Sequence, residues 1–396
     1  MMISVKEAQQ LILKNTGKGR PARIETLNCA GRVLAGDVTS PEDLPRFKQS
    51  AMDGYAVRAE DLKSSSLKVS WEIFAVGASI PMLKAGECAY IATGSPVPRN
   101  TGAVVPVEDV LAEAGLIRIR VKAEKGDNDN VRKAGDDIKK GARLCNEGDL
   151  VTPQAMGIFG ALGIAGLRIF QPPSVGIITT GSEVAAIGAA RLGKNEIRNA
   201  NLWSLAALLG AAGVKPAFLK ALPDKKGLLP AFLGKLKKLP KIVILTGGVS
   251  VGGHDYVKEE LEGYGVKRIF WKIAQKPGKP MYAGVKNGTL FLGLPGNPAA
   301  VITCFYLYVL PAINKYMHKR GVFLPEVAAS LAGQVKAGGS RTVFLRGCFN
   351  GGKVKPLRGQ SSHMLSSFLK TNCLIELGPS PARALGAGEK VKVLLL

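Results

Sequence analysis

The chain has 396 residues, of which 46% are apolar and 21% are charged. This length exceeds one hydrophobic core of ordinary size, and this composition excludes a disordered or fibrous protein, so we expect two to four compact units. The net charge of +24 invites a nucleic-acid hypothesis. However, the basic residues are spread along the chain, and no RNP-type strand or zinc-finger pattern is present. We therefore do not expect nucleic acid to be the main ligand. The electrostatic field of this positive charge would also attract an anionic small molecule.

The six cysteines and three histidines limit the metal and redox chemistry. The cysteines form no C-x-x-C pair, which predicts reduced, mostly buried thiols and neither a zinc site nor a disulfide framework. Any metal should be a hard cation held by oxygen. The densest apolar stretch, residues 298–311, is shorter than the roughly 20 residues that cross a bilayer, and residues 1–16 lack the core of a signal peptide. We expect a cytoplasmic protein without a membrane span.

The predicted elements begin with a helix after Ser4, where a capping-box spacing to Glu7 precedes apolar residues at helical intervals. Residues 46–140 consist of short β-prone runs between glycines, prolines and asparagines, which predicts a mostly β insert. Thr152 and Pro153 then begin a second helix. We expect this helix to rejoin the first one in a small helical and mixed domain that is discontinuous, spanning residues 1–45 and 141–173.

Residues 174–322 repeat the pattern of strand, glycine turn and helix. This alternation predicts a three-layer α/β domain with a largely parallel sheet, whose ligands bind at the carboxyl ends of the strands. Residues 323–396 contain β-prone runs at 327–335, 342–349 and 390–396, which predict a C-terminal β domain with a barrel-like form. The predicted fold class is therefore an α/β multidomain protein.

The strongest candidate site is the glycine-rich turn of residues 245–255, between a buried strand and a helix. Its glycines let the backbone approach a ligand, and its hydroxyls and free N–H groups can hold phosphate oxygens. A merely tight turn would explain two glycines more easily than four. A carboxylate beside a phosphate requires a bridging cation such as Mg²⁺. The candidate residues are Thr246, Gly247, Gly248, Ser250, Gly252 and Asp255.

Three other segments of this domain carry candidate groups. A second turn places a carboxylate beside small donors, although a single acid there is also typical of a helix start. Prolines stiffen a lysine-rich loop so that its ammonium groups can converge on an anion, although a charge run is usually solvated surface. A third turn exposes backbone groups and begins a helix with an N-cap asparagine. The residues are Thr180, Gly181, Ser182 and Glu183; Lys272, Lys276 and Lys279; and Pro295, Gly296, Asn297 and Pro298.

Physical reasoning alone does not decide whether three isolated residues belong to the site. Asp224 lies in a Leu-Pro-Asp-Lys turn, where a solvated turn residue is the ordinary interpretation. Asp53 and Thr93 lie in tight turns of the β insert. The Asp53-Gly54 pair is an ordinary hairpin signal.

Seven motifs in register resemble those of the molybdopterin molybdenumtransferases, the MoeA family to which the E-domain of gephyrin also belongs. The resemblance covers nearly the whole chain, and seven motifs in order are far more specific than one. The motifs are Asp43-Leu-Pro-Arg-Phe with Ser50-Ala-Met-Asp-Gly-Tyr-Ala; Ala92-Thr-Gly-Ser-Pro-Val-Pro; Val131-Arg-Lys-Ala-Gly-Asp-Asp-Ile; Thr180-Gly-Ser-Glu; Thr246-Gly-Gly-Val-Ser-Val-Gly-Gly-His-Asp-Tyr; Lys276-Pro-Gly-Lys-Pro; and Leu294-Pro-Gly-Asn-Pro.

The resemblance implies an enzyme that inserts molybdenum from molybdate into adenylylated molybdopterin and releases AMP, with Mg²⁺ as cofactor. It implies that residues 174–322 are the molybdopterin-binding domain. Glu183, Asp224 and Asp255 match the family's functional acids around pyrophosphate, metal and molybdate, and the lysine and proline turns match its substrate cradle. Asp53 and Thr93 match residues that a homodimer presents to the other subunit's site. A molybdopterin adenylyltransferase is the expected substrate donor.

Two alternatives remain. The chain could catalyse the preceding adenylylation, because those adenylyltransferases carry a similar Thr-Gly-Gly turn, but they lack the Asp53 and Thr93 segments. It could instead be a gephyrin-like scaffold, although its intact acids and lysines favour activity.

Two features depart from the family. The charge of +24 is high, and Ser182 stands where an acid is common in relatives.

Overall fold

The structure is a computed structural model, and it describes residues 2–73, 81–120, 129–248 and 256–396. The predicted first helix is confirmed as α1 (Val5–Asn15), in which the Ser4 hydroxyl accepts a hydrogen bond from the Glu7 amide. The second predicted helix is confirmed as α2 (Pro153–Ala161), capped in the same way by Thr152. Both helices begin where a side-chain oxygen satisfies an amide that the helix itself cannot pair.

Short strand pairs connect the two separated parts of the N-terminal region. Strand β1 pairs with β12, β2 with β11, and β3 with β10, each in antiparallel register. The chain therefore leaves this region after β3 and returns to it at β10. The strands are β1 (Pro21–Glu25), β2 (Val38–Thr39), β3 (Gln49–Ser50), β10 (Val131–Arg132), β11 (Arg143–Cys145) and β12 (Gly166–Phe170).

The insert is a six-stranded sheet, as the β-prone runs predict, in the order β7-β4-β6-β5-β9-β8. Its buried residues form two clusters, one on each face. Strand β4 pairs with β6 and β7, and β3 pairs elsewhere, so Asp53-Gly54 does not form a hairpin turn. The strands are β4 (Gly54–Val57), β5 (Leu67–Ile73), β6 (Glu87–Ile91), β7 (Ala103–Pro106), β8 (Val110–Glu113) and β9 (Leu116–Ile119).

The predicted α/β region is confirmed as a six-stranded sheet in the order β16-β13-β17-β21-β20-β18. Four neighbouring strands are parallel, and β20 runs antiparallel to both of its neighbours. The strands are β13 (Val175–Thr180), β16 (Pro216–Leu222), β17 (Ile242–Thr246), β18 (Lys267–Trp271), β20 (Tyr282–Lys286) and β21 (Thr289–Leu294), and a small parallel pair, β14 (Val184–Ala185) with β15 (Ile197–Arg198), follows β13.

Helices cover both faces of this sheet, which makes the three layers. Helix α3 (Ala200–Ala211), α1 and the segment 298–316 pack on the larger core cluster. Helices α4 (Leu228–Gly234) and α5 (Tyr256–Gly263) pack on the other face. The central strands are buried on both faces, which explains why they read as continuous apolar runs.

The apolar stretch at 298–311 is part of a longer helix than the sequence suggests. It comprises α6 (Pro298–Cys304), a π-helical turn (Phe305–Val309) and α7 (Leu310–Tyr316). Within the described residues, this 19-residue helix has the length and composition to cross a membrane. The premise that this stretch is too short to cross a bilayer is therefore wrong. Its most apolar stretch is 78% buried inside the protein, which is typical of a core helix.

The C-terminal strands close into a ring, which agrees with the barrel-like prediction. Strands β24, β25, β22, β28 and β26 pair in sequence, and β26 pairs back to β24. The predicted run 327–335 breaks into two strands. The strands are β22 (Glu326–Leu331), β23 (Val335–Gly339), β24 (Thr342–Asn350), β25 (Lys353–Pro356), β26 (Cys373–Leu377), β27 (Ser380–Leu385) and β28 (Lys390–Leu395), and β19 (Gln275–Lys276) joins β24 from the α/β region.

Candidate active site

Hydrogen bonds tie together the turns at the carboxyl ends of the parallel strands. Asn199 Nδ2 donates to Thr179 Oγ1 at 2.8 Å. Asn201 Nδ2 donates to Thr246 Oγ1 at 3.0 Å and to the Gly296 carbonyl at 2.7 Å. Thr246 Oγ1 donates to the Pro295 carbonyl at 3.1 Å. The ends of β13, β17 and β21 are therefore held as one rigid edge.

Gly247 allows two of these turns to come into contact. Its φ of +92° lies in the region that glycine adopts without strain. A Cβ at this position would lie 2.7 Å from Thr180 Oγ1 and closer still to the Thr180 carbonyl oxygen. Gly247 thus allows a close approach between its turn and the turn of Thr180.

A cavity of about 580 Å³ opens at this edge of the sheet. Most of the predicted turn residues meet there, although the sequence places them more than a hundred residues apart. The predicted residues that line it are Thr180, Glu183, Asp224, Thr246, Gly247, Gly248, Pro295, Gly296, Asn297 and Pro298.

The two described acids of the cavity come from adjacent turns. The Asp224 amide donates to Ser182 Oγ at 3.1 Å, and the Gly181 amide donates to the Leu222 carbonyl at 3.2 Å. Ser182 therefore holds the turn of Asp224. Gly181 and Ser182 themselves do not line the cavity.

Glu183 and Asp224 are compatible with a Mg²⁺ site. This ion commonly takes one or two protein carboxylates and completes its shell with water and substrate phosphates. Among the described residues there is no group of three metal-ligating side chains. Ser250, Gly252 and Asp255 of the predicted turn lie outside the described residues, so the third predicted acid stays a prediction.

Two buried side-chain oxygens at the cavity have no hydrogen-bond partner among the described residues. Thr180 Oγ1 and Asn201 Oδ1 are shielded from water and accept or donate no hydrogen bond within the described part of the chain. A buried polar atom without a hydrogen-bond partner costs free energy. A bound ligand that bonded to these two oxygens would remove that cost. Asn201 is absent from the sequence-based site residues, since a polar residue at a helix start carries no ligand signal of its own.

A second cavity, of about 830 Å³, adjoins the first between the α/β region and the C-terminal barrel. Lys276, Lys336 and Arg341 line it, together with polar groups of residues 360–362. His363 lines both cavities. The sequence did not predict Lys336, Arg341 and His363 as site residues, because nothing in their spacing relates them to the distant glycine-rich turn.

A buried arginine shapes the loop that carries His363. Arg346 is 1% exposed, and its Nη2 donates to the Ser361 carbonyl at 3.1 Å and also to the Gly359 carbonyl. Its amide donates to Gln360 Oε1 at 3.0 Å. Burial lowers the pKa of the Arg346 guanidinium from its ordinary value. Hydrogen bonds from Arg346 of β24 thus anchor the loop to the barrel.

The same loop docks on the start of α6. Asn297 Nδ2 donates to Ser362 Oγ at 2.9 Å, and the Ala299 amide donates to the Ser362 carbonyl at 3.1 Å. Asn297 occupies the N-cap position, but its side chain makes no capping bond. The predicted N-cap position is therefore confirmed, but the side chain bonds to Ser362 and not to the first turn of the helix.

The three predicted lysines do not share one cavity. Lys276 lines the second cavity. Lys272 Nζ lies 3.9 Å from the centroid of the Trp271 ring, which offers a cation–π contact. Lys279 is exposed, and its carbonyl accepts bonds from the Ile273 and Met281 amides. Of the three, Lys276 is the one placed to meet an anion within a single chain.

Asp53 and Thr93 lie together in the insert. Asp53 Oδ1 accepts hydrogen bonds from the Thr93 amide at 2.7 Å and from Thr93 Oγ1 at 2.8 Å. These bonds, that from the amide first, lower the pKa of Asp53 from its ordinary value. Neither residue lines either cavity of its own chain. The pair forms an exposed, fixed carboxylate away from the α/β edge.

Three family models match successive parts of the chain. "MoeA N-terminal region (domain I and II)" matches residues 3–163, "Probable molybdopterin binding domain" matches residues 176–315, and "MoeA C-terminal region (domain IV)" matches residues 328–396. The second of these models contains the glycine-rich turn and both described acids of the first cavity.

Full-length relatives and solved structures agree with these matches. The chain is 34% identical to a molybdopterin molybdenumtransferase of Haemophilus influenzae, over 94% of each protein. It is 31% identical to molybdopterin molybdenumtransferase 2 of Mycobacterium tuberculosis, over 99% of each. Two structures of a Pyrococcus horikoshii molybdopterin biosynthesis MoeA protein superpose with TM-scores of 0.83 and 0.81, at 26% and 30% identity, over all of this chain and at least 99% of theirs. The chain therefore belongs to the molybdopterin molybdenumtransferase (MoeA) family.

Proposed function

We propose that this chain inserts molybdenum from molybdate into adenylylated molybdopterin, releases AMP and uses Mg²⁺. Its full-length relatives are named as transferases, and on that basis the chain is a transferase of molybdenum cofactor biosynthesis. The observation that carries the finer proposal is the pair of adjoining cavities joined at His363. One is lined by two acids and a glycine turn, and the other by three basic side chains.

The first cavity suits the phosphoanhydride part of the substrate. Glycines 247 and 248 let their turn pack against Thr180 at the cavity wall, and Thr180 and Asn201 offer unpaired buried oxygens. Groups fixed before a ligand arrives stabilise developing charge without reorganising. When Mg²⁺ is bound by Glu183 and Asp224, it would neutralise charge on the phosphate oxygens.

The second cavity suits the oxyanion. Lys276, Lys336 and Arg341 carry fixed positive charge that attracts a dianion such as molybdate. The reaction balances as follows: water cleaves the phosphoanhydride to give AMP and the phosphate of molybdopterin. The two thiols of the pterin then displace one oxygen of molybdate, which leaves as water with the two thiol protons.

The chain's own cysteines are poor candidates for capturing molybdenum. Four of the six are buried, and none lines either cavity among the described residues. Burial raises the pKa of Cys88 and of Cys304 to about 12 and that of Cys373 to about 11, which keeps these groups as thiols. We therefore assign the capture to the pterin sulfurs.

The proposal includes a cytoplasmic homodimer whose site is shared. Asp53 and Thr93 are fixed to each other but line no cavity in their own chain. Phe47 and Met52, which precede Asp53 in the chain, are exposed apolar residues with 39% and 38% of their surface accessible. We propose that a second copy buries these side chains and receives Asp53 at its own cavity. The proposed substrate donor is a molybdopterin adenylyltransferase.

The alternatives make different predictions. An adenylyltransferase would consume ATP and unmodified molybdopterin, and it would need neither the Asp53 pair nor the basic second cavity. A gephyrin-like scaffold would need no intact acids in the first cavity, yet Glu183 and Asp224 are both present there. We place insertion ahead of both alternatives on these grounds.

The decisive experiment supplies the purified protein with adenylylated molybdopterin, molybdate and Mg²⁺. We expect AMP release that depends on molybdate, together with incorporation of molybdenum into the pterin. AMP release at the same rate without molybdate, or no release, would contradict insertion. Formation of adenylylated product from ATP would instead establish the adenylyltransferase alternative.

Asp224→Asn tests the role of the acids in the first cavity. We expect turnover to fall by about a hundredfold, because the cation and the developing charge lose one carboxylate. The matched control is Glu259→Gln, which changes an exposed acid on α5. The melting temperature should stay within about 2 °C of that of the parent in both variants. Full turnover by the Asp224 variant would show that Asp224 has no role in the reaction. Asp255→Asn is the corresponding test of the acid that lies outside the described residues.

A further inference from the structure

A buried polar network stands directly behind the loop that carries Lys276. Gln275 is fully buried, and its Nε2 donates to the Pro277 carbonyl at 2.9 Å and approaches Cys304 Sγ at 3.5 Å. Its Oε1 accepts a hydrogen bond from the hydroxyl of Tyr308, which is also fully buried. Every polar atom of the Gln275 side chain is therefore used inside the protein.

The π-helical turn brings Tyr308 to this position. Within residues 305–309 the helix gains one residue per turn, and the Leu310 amide bonds to the Phe305 carbonyl, five residues earlier. Such a turn shifts the direction of the side chains that follow relative to a regular α-helix, and π-turns occur frequently at functional sites. Tyr308 OH thereby points at Gln275 instead of only filling the apolar core.

The network acts on the backbone of the lysine loop. Gln275 and Lys276 form β19, which pairs in parallel with Thr342 and Val343 of the barrel. Gly278 has a φ of +99°, and a Cβ there would lie 2.6 Å from Cys304 Sγ and closer still to Gln275 Nε2. The loop is thus held from behind by Gln275 and at its edge by the barrel, while the Lys276 side chain faces the basic cavity.

We propose that Tyr308 and Gln275 are positioning residues for oxyanion binding: they fix the Lys276 loop, and through it the spacing of Lys276 from Arg341. This inference rests on the proposed function, because it assigns the second cavity to molybdate. Neither residue touches the oxyanion. Their effect is to hold the loop in its binding conformation before the anion arrives, which lowers the cost of binding.

The test uses Tyr308→Phe, which removes only the hydroxyl, and Gln275→Met, which keeps the length of the side chain. We expect the KM for molybdate to rise by about fivefold to tenfold in each, the loss that corresponds to one hydrogen bond. The KM for adenylylated molybdopterin and kcat at saturating molybdate should change by less than about twofold, since the first cavity is intact. The matched control is Tyr316→Phe, a buried tyrosine of the same helix, which should leave all three constants unchanged.

Direct binding of molybdate to the protein without the pterin, followed by calorimetry, gives a readout that does not depend on turnover. We expect the two variants to weaken this binding by the same factor. Gly278→Ala, whose Cβ would press directly on Gln275 and Cys304, should reproduce this weakening if Gln275→Met fails to fold. Altered stability with unchanged molybdate affinity would make the network merely structural and overturn the inference. If the parent protein neither binds molybdate nor responds to it in AMP release, the proposed function and this inference both fail.

Discussion

The Thr93 amide and hydroxyl lower the pKa of Asp53 and fix its carboxylate. Two hydrogen bonds reach one carboxylate oxygen, and both favour the ionised form. Because the folded-state pKa is lowered, Asp53 keeps its charge at a lower pH than an ordinary aspartate does. An exposed carboxylate with a fixed geometry is suited to a partner's site, whereas a solvated one would rotate freely.

Thr93→Val should raise the pKa of Asp53 part of the way to its ordinary value. The hydroxyl bond is lost, but the amide bond, which has the larger effect, remains. Titration of the Asp53 carboxyl carbon by NMR measures the change. Thr101→Val is the control, since the Thr101 hydroxyl has no hydrogen-bond partner among the described residues. An unchanged Asp53 pKa in the Thr93 variant would show that the hydroxyl bond is not formed in solution.

Tyr282→Phe should leave the protein as stable as before or stabilise it by up to about 1 kcal/mol. Tyr282 is fully buried, and its hydroxyl has no partner within the part of the chain that the structure describes. Its burial raises its pKa to about 12. Urea unfolding measures the free energy. A loss above about 1 kcal/mol would mean that this hydroxyl is in fact satisfied.

The core helix of residues 298–316 depends on a neighbouring helix to satisfy its backbone. Pro311 has no N–H, so the Leu307 carbonyl lacks its usual donor four residues later. Gln9 Nε2 of α1 donates to that carbonyl at 3.2 Å. The N-terminal helix and the α/β region are thereby joined by a specific bond in addition to apolar packing.

Gln9→Ala should destabilise the protein by about 1 kcal/mol, because this bond to a helix carbonyl is lost. Gln10→Ala is the control: it changes an exposed residue of the same helix with the same loss of side chain. Both variants are compared with the parent by urea unfolding. Equal stabilities of the two variants would contradict a structural role for the Gln9 bond.

The whole molecule carries a net charge of +24, far from neutrality, while its proposed substrates are anions. Eight lysines and one acid, Asp224, lie between residues 215 and 241, and all eight lysines are exposed. Lys225 and Lys226 directly follow Asp224, which lines the first cavity. Such a surface raises the encounter rate with an anion and loses this effect as salt screens it.

We expect kcat/KM for adenylylated molybdopterin to fall by about tenfold between low and physiological ionic strength, while kcat changes little. Initial rates in sodium chloride and in potassium chloride at equal ionic strength measure this and control for ion-specific effects. Exchanging Lys235, Lys237 and Lys238 for serine should flatten the dependence on salt without changing kcat. A kcat/KM that is independent of salt would exclude steering by this field.

The sequence by itself determined where several helices and strands form and which turns meet at one edge of the sheet. The capping patterns at Ser4 and Thr152, the apolar runs of the central strands and the spacing of glycine turns follow from local rules, and the structure bears them out. Parallel strands bring their carboxyl ends to one edge, so Thr180, Thr246 and Pro295 could be assigned to one site without coordinates.

Only the tertiary structure decided which groups meet across distant parts of the chain. The Asn297 side chain bonds to Ser362 instead of capping its helix, and Lys336, Arg341 and His363 reach the site from the barrel. The π-helical turn and the buried Tyr308–Gln275 bond likewise have no local signal. Local patterns report backbone preferences over a few residues, whereas these contacts depend on how the closed barrel packs against the core helix.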